Sequence, residues 1–169
     1  MAIRVVVADD QALIREALSA VLREQADMEV VGQAADGNAV MELAAQLQPD
    51  VIVMDVSMPP VLSGLEATRW ICATWPRVKV IALSMYGGRA YVAAMLKAGA
   101  RGYLLKDVPV DDLPAAVRAV AEGKTYVSPA IDMGPATSHR ELAGFIDEDE
   151  GGEPSTMSPH PRGIPAPNN

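Results

Sequence analysis

The chain has 169 residues, a net charge of −8, half of its residues hydrophobic and one cysteine, Cys72. That is room for one domain with a full core and a short appendage. No apolar run approaches the ~20 residues that span a membrane, none near the N-terminus reads as a signal peptide, and a lone cysteine makes no internal disulfide, so a cytoplasmic protein is expected.

The first 125 or so residues alternate strand-like and helix-like runs five times. Ile3–Ala8 is a β-branched run, followed by a helical pattern from Gln11 to Gln25. Leu13, Ala17, Ala20 and Val21 fall at helical spacing there, with Leu18 and Leu22 broadening the face. Glu29–Ala34 reads as the second strand, and Asp36 stands where a helix N-cap belongs, ahead of Val40, Leu43, Ala44 and Leu47. Pro49 stops that helix, and Val51–Met54 is the third strand. Ser63-Gly64-Leu65-Glu66 has the capping-box pattern and opens a helix that ends near Trp75-Pro76.

Val78–Leu83 is the fourth strand, and Gly87-Gly88 leads into a helix with Val92, Met95 and Leu96 inward and Gly99 as its stop. Gly102–Leu105 is the fifth strand. The last helix runs from about Asp112 to Glu122, with Leu113, Val117 and Val120 inward and Gly123 beyond its end. Pro114 fits only its first turn, so it starts no earlier than Val110. The expected fold is α/β: a doubly wound, flavodoxin-like parallel sheet of five βα units in strand order 2-1-3-4-5.

The composition changes after Ser128, so a domain over residues 1–128 and a tail over 129–169 are expected. The tail is acidic and rich in proline and glycine; apart from a helical turn around Arg140–Ile146, it buries too little apolar surface to order itself. Residues 132–169 hold seven acidic and two basic side chains, a charge of −5, which leaves −3 for the first 131 residues. A nucleic-acid binder shows the opposite, a basic stripe, so no direct nucleic-acid contact is expected. Both histidines, His139 and His160, lie in the tail, which removes a Ser–His–Asp triad, a His-rich zinc site and a phosphohistidine donor from the folded part.

The chemistry gathers at strand ends. Asp9 and Asp10 follow the first strand, Asp55 ends the third, Ser84 follows the fourth and Lys106 the fifth. In an open parallel sheet the carboxyl edge is where ligands bind. Carboxylates gathered there need a cation, and a lysine beside them can hold an anion; magnesium and a phosphoryl group satisfy both demands. Singly each residue has a plainer reading: a helix cap for Asp9 or Asp10, a turn former for Ser84, a solvated Lys106. Their joint placement is the signal.

The sequence Val-Val-Ala-Asp-Asp ending at Asp10, Asp55-Val-Ser-Met-Pro, Gly64-Leu-Glu-Ala-Thr-Arg, Leu83-Ser-Met and Ala98-Gly-Ala-Arg-Gly-Tyr-Leu-Leu-Lys-Asp resembles the receiver domains of bacterial two-component response regulators, in the nitrate and nitrogen-fixation branch. The resemblance implies Asp55 as phosphoacceptor, with Mg2+ bound by Asp10, by Asp55 itself, by the backbone carbonyl of Ser57 and, often through water, by Asp9. It also implies Lys106 as partner of the phosphoryl group, Ser84 as the switch hydroxyl, and Tyr103 as either the switch aromatic or simply a half-buried strand tyrosine. A sensor histidine kinase would be the donor and a phosphorylation-linked homodimer one output, with regulation of transcription implied by the lineage and no substrate-turnover activity.

Two departures from the family pattern stand out. Gly64 lies nine residues after Asp55 rather than eight, lengthening the loop over residues 59–63, and Asp107 rather than proline follows Lys106. The branch usually continues into a helix-turn-helix domain, and Thr156-Met-Ser-Pro stands where that would begin, as expected for a single-domain regulator, a truncated DNA-binding regulator or a shifted reading frame. The rival readings are a pseudo-receiver that binds partners without phosphorylation and an aspartyl-phosphate phosphatase. The first typically loses an acidic residue or the lysine, and the second resembles Asp-x-Asp on the first strand; this chain does neither.

Overall fold

A computed structural model describes residues 1–58, 63–107 and 110–131. The tail beyond 131, with its expected helical turn and the Thr156 motif, lies outside the described residues, as does most of the lengthened loop. The elements in order are β1 (Ile3–Ala8), α1 (Ala12–Arg23), β2 (Met28–Ala34), α2 (Gly37–Leu47), β3 (Val51–Asp55), α3 (Gly64–Thr74), β4 (Lys79–Ser84), α4 (Arg89–Lys97), β5 (Gly102–Leu105), α5 (Asp112–Ala121) and β6 (Tyr126–Val127). All strand pairings are parallel, in the order β2-β1-β3-β4-β5-β6. The expected order 2-1-3-4-5 holds, and β6 extends it at the β5 edge.

The sheet is buried on both faces, and its side chains alternate between them with the period of a strand. Val5, Val7, Val51, Val53, Ile81 and Leu83 pack with Leu18 and Leu22 of α1 and Leu113, Val117 and Val120 of α5. Val6, Ala8, Ile52, Met54 and Val80 pack on the other face with Val40, Met41 and Ala44 of α2 and Ala67 and Ile71 of α3. Val92, Met95 and Leu96 of α4 close over Ala82 and Tyr103.

The predicted helix signals are used as their chemistry requires. Asp36 caps α2 by accepting from Ala39 N at 2.8 Å. Ser63 and Glu66 form both bonds of the capping box of α3. Gly99 and Gly123 end α4 and α5 at φ +111° and +86°, a region that costs side-chain-bearing residues about 1 kcal/mol or more.

Helix α1 departs from the expected face. Leu18, Ser19 and Leu22 are buried with Ile14 half-covered, whereas Leu13, Ala17 and Ala20 are exposed, Leu13 at 84%. The helix is also two residues shorter at its C-terminal end than its apolar run suggested, and one shorter at its start. So many small and apolar residues stand on α1 that two stripes compete, and only the sheet beneath decides between them.

Candidate functional site

Strand β1 is flanked by β2 on one side and β3 on the other, so consecutive crossovers diverge there and leave a crevice at its carboxyl end. Asp9 leaves β1 and Asp55 ends β3 at that crevice. Register places Ala8 opposite Met54 and Asp55 opposite Leu83, so the two carboxylates and Ser84 follow one another along the edge. Lys106 follows β5, its backbone N–H bonded to the Ser84 carbonyl at 2.9 Å.

Lys106 crosses the edge to reach both acids. Its Nζ lies 3.0 Å from Asp9 Oδ2 and 3.0 Å from Asp55 Oδ2, with the lysine side chain 8% exposed. The solvated lysine of the plain reading is therefore replaced by a buried bridge. Beyond that ammonium, neither Oδ2 atom meets a hydrogen-bond donor among the described residues. The other carboxylate oxygens are held locally: Asp9 Oδ1 accepts from Gln11 N at 2.9 Å, and Asp55 Oδ1 from Ser57 N at 3.0 Å. Neither Asp9 nor Asp10 caps α1, whose N-cap is Gln11 with no side-chain bond.

Burial pushes the Asp55 carboxyl above the ordinary carboxylate range, and the neighbouring Asp9 charge adds to it; the Ser57 N–H and Lys106 oppose this without cancelling it. Burial pulls Lys106 the other way, down, but its two carboxylate partners outweigh that and hold the ammonium above its usual value. The site thus carries a charge conflict: two buried acids share one cation. Carboxylate oxygens of Asp9, Asp10 and Asp55 lie within 4.8 Å of one another, with Asp10 exposed, and this all-oxygen set suits a hard divalent ion.

Gly64 is what lets α3 begin this close. A Cβ there would sit 2.1 Å from the Asp55 carbonyl oxygen and 2.8 Å from Val56 Cα, and its N–H bonds to the Val56 carbonyl at 3.2 Å. The sequence marked Gly64 only by its motif; the reason is this approach to the acceptor's own backbone.

Ser84 is buried and its Oγ accepts from Tyr86 N at 3.0 Å, so it does form the turn the plain reading gives it. The Ser84 side chain also bonds the Tyr103 hydroxyl, which works against the burial that pushes that phenol up. Tyr103 is fully buried, not half-buried, and donates its hydroxyl to the Tyr86 carbonyl. Tyr86 is thus a node: its N–H holds Ser84, its carbonyl holds Tyr103, and its exposed ring stacks on Tyr91 at 5.3 Å between centroids. No motif or spacing marked Tyr86.

An apolar groove opens beside Lys106, lined by Ile14, Ala17, Leu18, Leu104 and Val110. Val110 of that lining is exposed. Among the described residues, no helix is long and apolar enough to cross a membrane.

The response regulator receiver domain model matches residues 5–118. The oxygen regulatory protein NreC of Staphylococcus carnosus is 46% identical over 126 residues, 75% of this chain and 58% of its own length. The transcriptional regulatory protein DegU of Brevibacillus brevis is 40% identical over 148 residues, 88% of this chain and 61% of its own. The chain thus spans about three fifths of these curated relatives. Among solved structures, the signal receiver domain of NarL from Mycobacterium tuberculosis superposes with a TM-score of 0.70 at 34% identity, over 73% of this chain and 98% of that one. The chain therefore belongs to the response regulator receiver domain family, and its receiver domain is related to those of transcriptional regulators.

Proposed function

We propose that the protein accepts a phosphoryl group on Asp55 from a sensor histidine kinase and relays it as a change in a protein-binding surface. The observation that carries this reading is the Lys106 bridge between Asp9 and Asp55 at 3.0 Å to each, buried at the sheet's carboxyl edge. A carboxylate oxygen of Asp55 attacks phosphorus, the bond from phosphorus to the donor's imidazole nitrogen breaks, and an acyl phosphate remains on Asp55. The donor histidine comes from the partner, since the chain's two histidines both lie beyond residue 131.

Mg2+ held by Asp9, Asp10, Asp55 and the Ser57 carbonyl would neutralise the phosphoryl oxygens and relieve the repulsion among the acids. Lys106 is already in place to pair with the transferred group in exchange for a carboxylate. Ser84 can turn its hydroxyl proton toward a phosphoryl oxygen, which perturbs the turn it shares with Tyr86 and, through the Tyr86 carbonyl, the inward Tyr103. The surface that responds is then the β4–α4 loop and the adjoining α4–β5 face, with Met85, Tyr86 and Tyr91 exposed on it. The groove beside Lys106 supplies apolar area for a kinase to seat its donor near the acceptor. The cell compartment is the cytoplasm, and the output is regulation of transcription, with a phosphorylation-linked homodimer as its form and no nucleic-acid contact from the described domain.

Intact mass after incubation with acetyl phosphate, with and without Mg2+ and beside an Asp55→Asn variant, tests the reading. A Mg2+-dependent phosphoryl adduct missing from the variant is expected. An adduct of equal size on the variant would overturn it.

A further inference from the structure

Asp9 is held at every polar atom, and one of those contacts has no role in the chemistry above. Its N–H bonds to Ala34 of β2 at 3.0 Å, Oδ1 to Gln11 N, Oδ2 to Lys106, and its main-chain carbonyl accepts from Arg15 Nη1 at 2.8 Å. Arg15 lies one turn into α1, and helical side chains lean toward the N-terminus, so its guanidinium reaches back over the Asp9-Asp10 turn. The same guanidinium donates from Nε to Gln33 Oε1 on β2 at 3.2 Å. Arg15 is half-buried, and its own carbonyl is further engaged by the buried Ser19 hydroxyl at 2.8 Å.

We propose that Arg15 is a positioning residue for the cation site, clamping the Asp9 carbonyl between α1 and β2 so that the Asp9 and Asp10 carboxylates are presented together toward Asp55. The inference rests on the proposed Mg2+ site. Three acids whose oxygens lie within 4.8 Å of one another repel, and the turn that carries two of them would relax outward unless something fixed its backbone. A backbone N–H fixes Asp9 Oδ1 and the Lys106 ammonium holds Oδ2, but among the described residues only Arg15 fixes the carbonyl of the turn's first residue from the α1 side. A planar guanidinium can make this bond and the Gln33 bond at once, which an ammonium cannot do in the same geometry. Because it acts on a carbonyl, Arg15 leaves the carboxylates free for a metal.

The test is Mg2+ binding by titration calorimetry on the unphosphorylated protein, with no phosphodonor present, beside thermal melts. Arg15→Met keeps the length of the side chain and removes both bonds. Its Kd for Mg2+ should rise about tenfold, or about 1.4 kcal/mol, the scale of one lost charge-assisted hydrogen bond. Arg15→Lys keeps one donor and should recover the Kd to within about threefold of wild type. A merely structural arginine would lower the melting temperature and leave the Kd of the folded protein unchanged. An unchanged or tighter Kd in folded Arg15→Met overturns the proposal while the Mg2+ site stands; absence of Mg2+ binding by wild type overturns the site itself. Should Arg15→Met not fold, Gln33→Met carries the same test by freeing one side of the clamp: a Kd raised about threefold supports the proposal and an unchanged Kd overturns it.

Discussion

Replacing Gly64 by alanine probes how tightly the acceptor strand and helix α3 are locked together. The new Cβ would lie 2.1 Å from the Asp55 carbonyl oxygen, where carbon and oxygen normally approach no closer than about 3.3 Å. Relief requires α3 to retreat by about 1 Å, because the obstacle is backbone and cannot rotate aside. Overpacking of this kind costs about 1–3 kcal/mol, and stretching the 3.2 Å bond from Gly64 N to the Val56 carbonyl adds about 1 kcal/mol. A total near 3 kcal/mol, at about 3 °C per kcal/mol for a domain of this size, lowers the melting temperature by about 10 °C. Two further glycines calibrate the result. Gly123→Ala meets nothing within 4 Å but sits at φ +86°, and should lose about 1 kcal/mol from strain alone. Gly32→Ala faces the flexible ends of Leu43 at 3.2 Å and Leu47 at 3.4 Å and should change stability by no more than about 0.5 kcal/mol. Melts followed by circular dichroism at equal protein concentration rank the three. A Gly64→Ala loss no larger than that of Gly123→Ala would refute the reasoning.

Asp55→Asn should stabilise the protein at pH 7, by about 1 kcal/mol, because it removes a buried charge in conflict with Asp9. The Asp55 pKa is raised in the fold, so its favourable contribution is complete below the ordinary 3.8 and is lost as pH rises through the folded value; the advantage of the variant should shrink as pH falls through that window, which urea melts at several pH values measure. Lys106→Met strands the two carboxylates and should cost about 3 kcal/mol at neutral pH, less in acid where Asp55, already held above the ordinary range, protonates. Because Lys106 is raised, its contribution is complete below the ordinary 10.5 and fades as pH climbs past the folded value, so wild type and variant should converge in alkali. Burial pushes the Cys72 thiol up to about 11, with Arg101 and Lys79 opposing only weakly, so iodoacetamide should label it slowly at pH 7.5 in the native protein and readily in urea.

The sheet order and the four strand ends were legible because β1, β3 and β4 are short runs rich in β-branched residues and β5 is a short apolar run, each closed by a polar residue, and a parallel sheet buries such runs on both faces. Caps at Asp36 and Ser63 were legible for the same kind of reason: the side chain that stops the chain also bonds it. Helix α1 was misjudged because Leu13 and Ala17 repeat as regularly as Ile14 and Leu18, and periodicity cannot say which stripe meets the sheet. Strand β6 escaped because two residues carry no period at all; it forms only because β5 offers an unpaired edge to Tyr126 and Val127. Lys106 was placed by its position after β5, yet its burial was not readable, since it depends on two acids contributed by strands some fifty and a hundred residues away. Tyr86 was missed because its role at the site is played by its backbone, which any residue could supply.

The central claim is that Asp55, and not Asp9 or Asp10, carries the phosphoryl group. Borohydride reduction of the acyl phosphate formed with acetyl phosphate and Mg2+ converts the modified aspartate to homoserine, which peptide mapping locates directly. Homoserine at position 55, and at neither 9 nor 10, is the expected result. Homoserine at position 9 or 10, or none in any peptide from protein that carries the adduct, would contradict it.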